Sequence, residues 1–212
     1  MKLIYKLLTA GLAVLFTFTA QATKPIAEQA AMVSPLLNGQ QIPAVMATTV
    51  EGKQINLQDV LAGKKTILFF YRGGWCPFCN TQMGQLKKIS GRLQGMGFQL
   101  IGISTDAPEG LKASIKERDL DYTLLSDFNS KVSQSFGLAF FASQKTTERY
   151  VSKMNLGNPL QKNSQGQERL VLPAPAVYVF DAKGLVQFNY VNPNFRVRLD
   201  EELLLKAAEL VR

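Results

Sequence analysis

Tyr71-Arg72-Gly73-Gly74-Trp75-Cys76-Pro77-Phe78-Cys79 holds both cysteines of a 212-residue chain, at the point where a strand pattern gives way to a helix pattern. Before it, Ile67 to Tyr71 is a continuous apolar run between Lys64-Lys65 and Gly73-Gly74, the signature of a central strand covered on both faces. After it, Pro77 suits the first position of a helix, because the N–H it lacks is one that a helix start leaves unpaired anyway. Phe78, Met83, Leu86, Ile89 and Leu93 then share one helical face. Gly84, Gly91 and Gly95 weaken the helix and predict an end or a bend near Ser90.

This placement has a chemical consequence. At or just before a first helical turn, unpaired backbone N–H groups and the helix dipole favour a negative sulfur on Cys76. A thiolate so placed has its pKa lowered from about 8.5 into a range of roughly 3.5–7.5. Cys79, one turn further in, is less accessible and close enough to attack a mixed disulfide or sulfenic acid on Cys76. Cys76 is therefore read as the nucleophile and Cys79 as the resolving thiol. A structural disulfide is the plainer alternative, but so short a loop restricts the unfolded chain very little. Zinc is disfavoured, since two sulfurs and no histidine fall short of the usual four ligands. Arg72 adds positive potential in one reading and is a solvated or ion-paired arginine in another. Trp75 either lines a substrate groove or packs over the sheet.

Working outward, Thr23 to Pro35 reads as a loose lead-in with a helical trace at Ala27 to Met32, followed by a loop to Pro43. The alternation from Ala44 to Leu57, broken at Glu51-Gly52-Lys53, predicts a short hairpin, and Asp59 to Gly63 a helical turn. Phe98 to Ile103 is a second buried strand, and Asp106-Ala107-Pro108-Glu109 opens a helix by cap, proline and early acid. Tyr122 to Leu125 is a short strand, with Ser126-Asp127 capping a helix to about Phe136. This alternation of strand and helix argues for a mainly parallel sheet with helices on its faces. Phe140 to Leu170, where Asn, Gly, Pro and Ser crowd together, reads as a long irregular insertion. Ala176 to Phe180, the turn at Asp181 to Gly184 and the return through Tyr190 form a hairpin, and Asp200 to Val211 is a closing amphipathic helix.

Composition narrows the function classes. The absence of histidine removes the usual general base and the Cys-His nucleophile pair, leaving acid-base work to Asp, Glu, Lys, Tyr or water. Lys2 and Lys6, an apolar uncharged stretch from Leu7 to Ala20, and small residues in Ala20-Gln21-Ala22 form a secretory signal over residues 1–22. Cleavage after Ala22 removes two positive charges and no negative one, so the net charge of +8 becomes +6. The expected location is the periplasm or the extracellular space, where disulfides form and persist. Contact with a membrane is expected only if the signal stays uncleaved as an anchor; its apolar run is short against the roughly 20 residues of a span. The basic residues occur in short pairs without interleaved aromatics, which argues against a nucleic-acid partner.

The cysteine pair on a strand-to-helix turn, together with Gly102-Ile103-Ser104 and Leu172-Pro173-Ala174-Pro175 ahead of Ala176-Val177-Tyr178-Val179-Phe180, resembles the thioredoxin fold. More closely, it resembles the peroxiredoxin-like branch of the alkyl hydroperoxide reductase/thiol-specific antioxidant (AhpC/TSA) family, from about Pro43 to the C-terminus. The resemblance implies an α/β thioredoxin-like domain over 43–212, with a central mixed sheet flanked by helices, an N-terminal hairpin extension after the lead-in at 23–42, and the insertion at about 140–170 before the last hairpin. It implies a thiol oxidoreductase with no cofactor beyond a redox-active Cys76–Cys79 disulfide, and a cis-proline at Pro175 facing the cysteines. Typical peroxiredoxins carry Pro-x-x-x-Thr-x-x-Cys and an arginine before a late strand. Here those positions hold Phe69, Gly73, Cys76 and Pro175. On this pattern, disulfide exchange with a protein partner is expected ahead of peroxide reduction, with a non-enzymatic module carrying a structural bridge as a third reading. Arg72, Trp75, Pro77 and Pro175 are the supporting site residues.

Overall fold

The computed structural model describes residues 23–211, so the expected signal at residues 1–22 lies outside the described residues. In chain order the strands are β1 (Met46–Thr48), β2 (Gln54–Asn56), β3 (Lys65–Phe70), β4 (Phe98–Ser104), β5 (Thr123–Ser126), β6 (Ala139–Phe141), β7 (Gln161–Lys162), β8 (Glu168–Arg169), β9 (Val171–Pro173), β10 (Ala176–Phe180) and β11 (Val186–Val191). The helices are α1 (Leu57–Leu61), α2 (Pro77–Gly95), α3 (Pro108–Arg118), α4 (Lys131–Ser135), α5 (Gln144–Met154) and α6 (Glu201–Leu210).

Seven strands form one mixed sheet in the order β11-β10-β3-β4-β5-β1-β2. β3, β4 and β5 are parallel neighbours, whereas β10 pairs antiparallel with β3 in the register Ala176 to Phe70 through Phe180 to Thr66. The expected N-terminal hairpin is β1–β2, which extends the sheet beyond β5.

The apolar run of β3 is explained by cover on both faces. Ile67, Phe69 and Tyr71 pack into a core with Met83, Leu86 and Leu93 of α2 and Leu204, Leu205 and Ala208 of α6. Leu68 and Phe70 point the other way, into a core with Leu57, Leu61, Phe136, Tyr178 and Phe180. A period-2 strand sandwiched between two helical layers has no face left for polar residues.

Four local expectations are corrected. α2 runs unbroken past Ser90 to Gly95. Burial of Met83, Leu86, Ile89 and Leu93 outweighs a glycine penalty of about 1 kcal/mol at each interior site. Phe78, placed on that apolar face by spacing, is instead 39% exposed and packs edge-on against Phe195. α3 has Ala107, not Asp106, at its N-cap, and the Asp106 carboxylate turns to the backbone N–H of Gly74 at 2.7 Å. α4 begins only at Lys131, yet Asp127 still caps it, accepting from the N–H groups of Val132 (2.7 Å) and Ser133 (2.8 Å).

The segment at 140–170 is not irregular. It contains part of β6, the three-turn helix α5 and the small β7–β8 hairpin. Ser143 caps α5 by accepting from the N–H of Thr146, and Asn155 ends it in the left-handed conformation. Only the Asn- and Gly-rich part that follows is loop. The lead-in is not loose either: the Ala27 N–H donates to the Ala139 carbonyl, the Phe141 N–H donates to the Ala27 carbonyl, and the Ser34 N–H donates to the Gly137 carbonyl.

Candidate active site

Cys76 occupies the N-cap of α2 and Pro77 its first position, as the sequence pattern requires. The two cysteines are free thiols, 2% and 0% exposed, at the junction of β3 and α2. One helical turn closes them together, with the N–H groups of Cys79 and Asn80 both donating to the Cys76 carbonyl at 3.0 Å. Pro77 and Phe78 form an exposed rim above the buried sulfurs.

The electrostatics divide the pair. The Cys76 thiol is pulled down to about 6, first by the hydrogen bond from the Cys79 thiol, against the opposing cost of burial, and further by the Cys79 backbone N–H and the charges of Arg72 and Arg198. Cys79 moves the other way, far up, because its proton is shared toward Cys76 and because it is buried. One sulfur of the pair is therefore negative near neutral pH while the other keeps its proton. A thiolate beside a thiol at a helix N-terminus is equipped for nucleophilic attack followed by intramolecular disulfide formation.

Arg72 is neither solvated nor ion-paired. It is 4% exposed, and no carboxylate pairs with it among the described residues. Its Nη2 donates to the Tyr150 hydroxyl at 2.8 Å. Its guanidinium lies 4.4 Å from the Phe195 ring centre, 5.3 Å from that of Tyr150 and 5.4 Å from that of Trp75. Aromatic faces hold a cation without neutralising it, so its full charge remains available to the sulfur. Its Nε is buried without a partner, as is Nε1 of Trp75.

Trp75 packs against Tyr150 at 4.7 Å and joins the apolar cluster of Ala142, Leu170 and Leu172. Its position is tied to Gly73, which has φ +153°. A Cβ on Gly73 would stand 2.2 Å from Trp75 Nε1 and 2.6 Å from Asp106 Oδ1. The space that a side chain at position 73 would take is filled by the indole and the carboxylate. Asp106, held above the usual carboxylate range by burial, also accepts from the Ser104 hydroxyl and fixes the loop after β4 against Gly74.

Pro175 directly precedes β10, one residue beyond the pairing of Ala176 with Phe70 at the end of β3. No peptide bond is cis among the described residues, so the expected cis-proline is not formed. Its carbonyl accepts from the Asn192 N–H at 3.1 Å.

Three site residues escape local reading of the sequence: Tyr150 on α5, and Phe195 and Arg198 on the segment between β11 and α6. Arg198 Nη2 donates to Cys79 Sγ at 3.4 Å across a separation of 119 residues. Nothing in the residues around Tyr150 or Arg198 marks them, since tertiary packing alone brings them to the cysteines.

The AhpC/TSA family model matches residues 38–189. A putative peroxiredoxin bcp of Haemophilus influenzae is 36% identical over 106 residues, which cover 50% of this chain and 68% of that protein. Peroxiredoxin Bcp of Escherichia coli K12 is 33% identical over 106 residues, covering 50% of this chain and 67% of that protein. Among solved structures, reduced Prx3 from Vibrio vulnificus in complex with hydrogen peroxide superposes with a TM-score of 0.66 at 16% identity, covering 82% of this chain and 99% of that one. Peroxidoxin BcpB from Mycobacterium tuberculosis gives a TM-score of 0.61 at 18% identity, covering 82% and 97%. The sheet and its flanking helices thus have the thioredoxin-like fold. The chain belongs to the AhpC/TSA family and is a thiol-dependent oxidoreductase.

Proposed function

We propose that this protein is a thiol peroxidase in which Cys76 is oxidised by hydrogen peroxide or an alkyl hydroperoxide and Cys79 resolves the product. The order expected from the sequence, with disulfide exchange first, is thereby reversed. The observation that carries the reading is the near-complete burial of an acidified Cys76, 2% exposed and lowered to about 6, in a chain whose similar relatives are named peroxiredoxins. A small peroxide reaches such a sulfur far more readily than a protein disulfide, whose own sulfur must approach in line with the attacking thiolate.

In the first step the Cys76 thiolate attacks the nearer peroxide oxygen. An S–O bond forms, the O–O bond breaks, and the leaving alkoxide or hydroxide takes a proton, giving an alcohol or water and a Cys76 sulfenic acid. Arg72 supplies positive potential for the charge that develops on the oxygens, and its unpartnered Nε and that of the Trp75 indole are donors available to them. In the second step Cys79 attacks the Cys76 sulfur and water leaves, producing the Cys76–Cys79 disulfide. An external thiol then returns the pair to the dithiol, and no further cofactor enters the cycle. The export signal read at residues 1–22 assigns this chemistry to the periplasm or the extracellular space.

Stopped-flow measurement of the reduced protein against hydrogen peroxide, cumene hydroperoxide and a disulfide-bonded protein tests the reading. Rapid peroxide consumption that disappears in Cys76→Ser is expected. Fast exchange with the disulfide and no faster peroxide loss than in Cys76→Ser would return exchange to first place.

A further inference from the structure

Both arginines favour the Cys76 thiolate by charge, but of their two side chains only that of Arg198 hydrogen-bonds a sulfur, and the sulfur is that of Cys79. Arg72 lies beneath the loop that carries Cys76, caged by three rings. Arg198 lies on the segment leading into α6, which also carries Phe195, and its side chain contacts Cys79. Cys79 is fully buried, and a buried thiol resists ionisation unless a charge or hydrogen bond favours its anion. Of the Arg198 guanidinium, Nη1 donates to the Val197 carbonyl at 3.1 Å, Nη2 to Cys79 Sγ at 3.4 Å, and Nε is buried without a partner. No carboxylate pairs with it among the described residues. The charge of an arginine held this way reaches both sulfurs, but its direct contact is with Cys79, so an anion formed there meets the guanidinium at hydrogen-bond distance.

The groups facing Cys79 act in opposite directions. The Cys76 thiolate holds the Cys79 proton by charge and hydrogen bond, and the buried Tyr71 phenol offers no cationic charge. The backbone N–H of Arg72 and the Arg198 guanidinium favour the Cys79 anion. In the dithiol the first influence dominates. Once Cys76 is a sulfenic acid its sulfur is neutral, so the group that held the proton has gone while Arg198 remains.

We propose that Arg198 is the catalytic residue of the resolving step: its guanidinium, 3.4 Å from Cys79 Sγ, stabilises the Cys79 thiolate once Cys76 has been oxidised, so that the second sulfur ionises only after the first has reacted. The inference rests on the peroxidase reading above. The Cys79 thiolate attacks Cys76 Sγ, the S–S bond forms and the S–O bond breaks. The departing hydroxide takes up the proton that Cys79 released, and leaves as water. Sulfenic acid and thiol become disulfide and water, with no further oxidant than the peroxide already consumed. The device also keeps Cys79 from reacting with peroxide in its own right, since its proton stays in place while Cys76 is reduced.

The test is a rapid-mixing comparison of wild type, Arg198→Met, Arg198→Lys and Cys79→Ser, with dimedone labelling of the sulfenic acid followed by mass spectrometry and the disulfide followed by thiol titration. In Arg198→Met the resolving step should slow by about tenfold, because each pKa unit of Cys79 changes its thiolate fraction by about that factor. The Cys76 step should slow by a smaller factor, and labelled Cys76 should accumulate. Arg198→Lys should recover part of the resolving rate, and the pH midpoint of that step should rise in Arg198→Met, neither of which follows from a merely structural role. A resolving rate and pH midpoint equal to wild type in Arg198→Met would overturn the assignment of Arg198 alone. Absence of labelled sulfenic acid in Cys79→Ser after peroxide would overturn the peroxidase reading, and this inference with it.

Discussion

The Tyr150 hydroxyl accepts a 2.8 Å hydrogen bond from Arg72 Nη2, joining a helix of the 140–170 segment to the loop that carries Cys76. The same tyrosine ring packs near the guanidinium and against Trp75, so α5 helps to position a buried cation whose charge reaches Cys76. Tyr150→Phe keeps the ring and removes the acceptor. It should lower stability by about 1–2 kcal/mol and move the Cys76 titration midpoint upward from about 6, as Arg72 gains freedom to leave the site. Ultraviolet titration of the thiolate reads the second effect, and an unshifted midpoint would remove the positioning role.

The reaction of Cys76 with peroxide should depend on pH through a single low midpoint. The thiolate is the nucleophile, so the rate rises as pH rises through about 6 and is level above it. Alkylation by iodoacetamide across the same pH series should show the same midpoint. A midpoint near 8.5, the ordinary thiol value, would mean that Arg72, Arg198 and the helix start contribute little.

Gly73 stands where typical peroxiredoxins carry threonine, and that side chain is excluded by its neighbours rather than merely missing. Gly73→Thr should cost about 2 kcal/mol or more, because the new Cβ meets Trp75 Nε1 at 2.2 Å and the residue must hold φ +153°. Thermal melts of Gly73→Thr and of Gly73→Thr/Trp75→Ala check the cause. Partial recovery in the double variant is expected, and equal loss in both would point to backbone strain alone.

Asp127 links stability to pH. Burial raises its carboxyl from 3.8 to about 6 despite the N–H groups it accepts at the start of α4. Between those values the folded state binds more protons than the unfolded one, so this residue's contribution to stability falls as pH rises through the window. Relative to Asp127→Asn, wild type should lose about 2 kcal/mol on going from pH 4 to pH 7, read from denaturant melts at each pH. A difference that stays flat with pH would mean that Asp127 titrates alike in the folded and unfolded chain.

Much of the fold was legible because its signals are local. The run at 67–71 announces a strand covered on both faces, and Cys76-Pro77 announces the start of a helix whatever packs around it. The hairpins at 46–56 and 176–191 follow from alternation and turn residues in the same way. Where the pattern misled, the competing term was tertiary. The glycines of α2 are overruled by its buried face, and Asp106, a good helix cap on paper, is drawn to the Gly74 N–H. α5 was hidden because it is polar on average and runs into the Asn-, Gly- and Pro-rich stretch that follows, although its few apolar residues, Tyr150 among them, segregate to one face.

The sequence by itself determined the reactive groups: two sulfurs one helical turn apart, on the end of a buried strand, in a chain without histidine. It could also place Cys76 ahead of Cys79, because a helix start acts on whatever occupies it. Which charges reach those sulfurs was decided only by the tertiary structure. Arg72 becomes a buried cation only because Tyr150, Trp75 and Phe195 surround it, and Arg198 meets Cys79 only because the approach to α6 crosses the mouth of the site. Electrostatic effects on a pKa fall off within a few ångströms in solvent and persist in a buried pocket, so they belong to residues that folding brings together, here 78 and 119 positions apart.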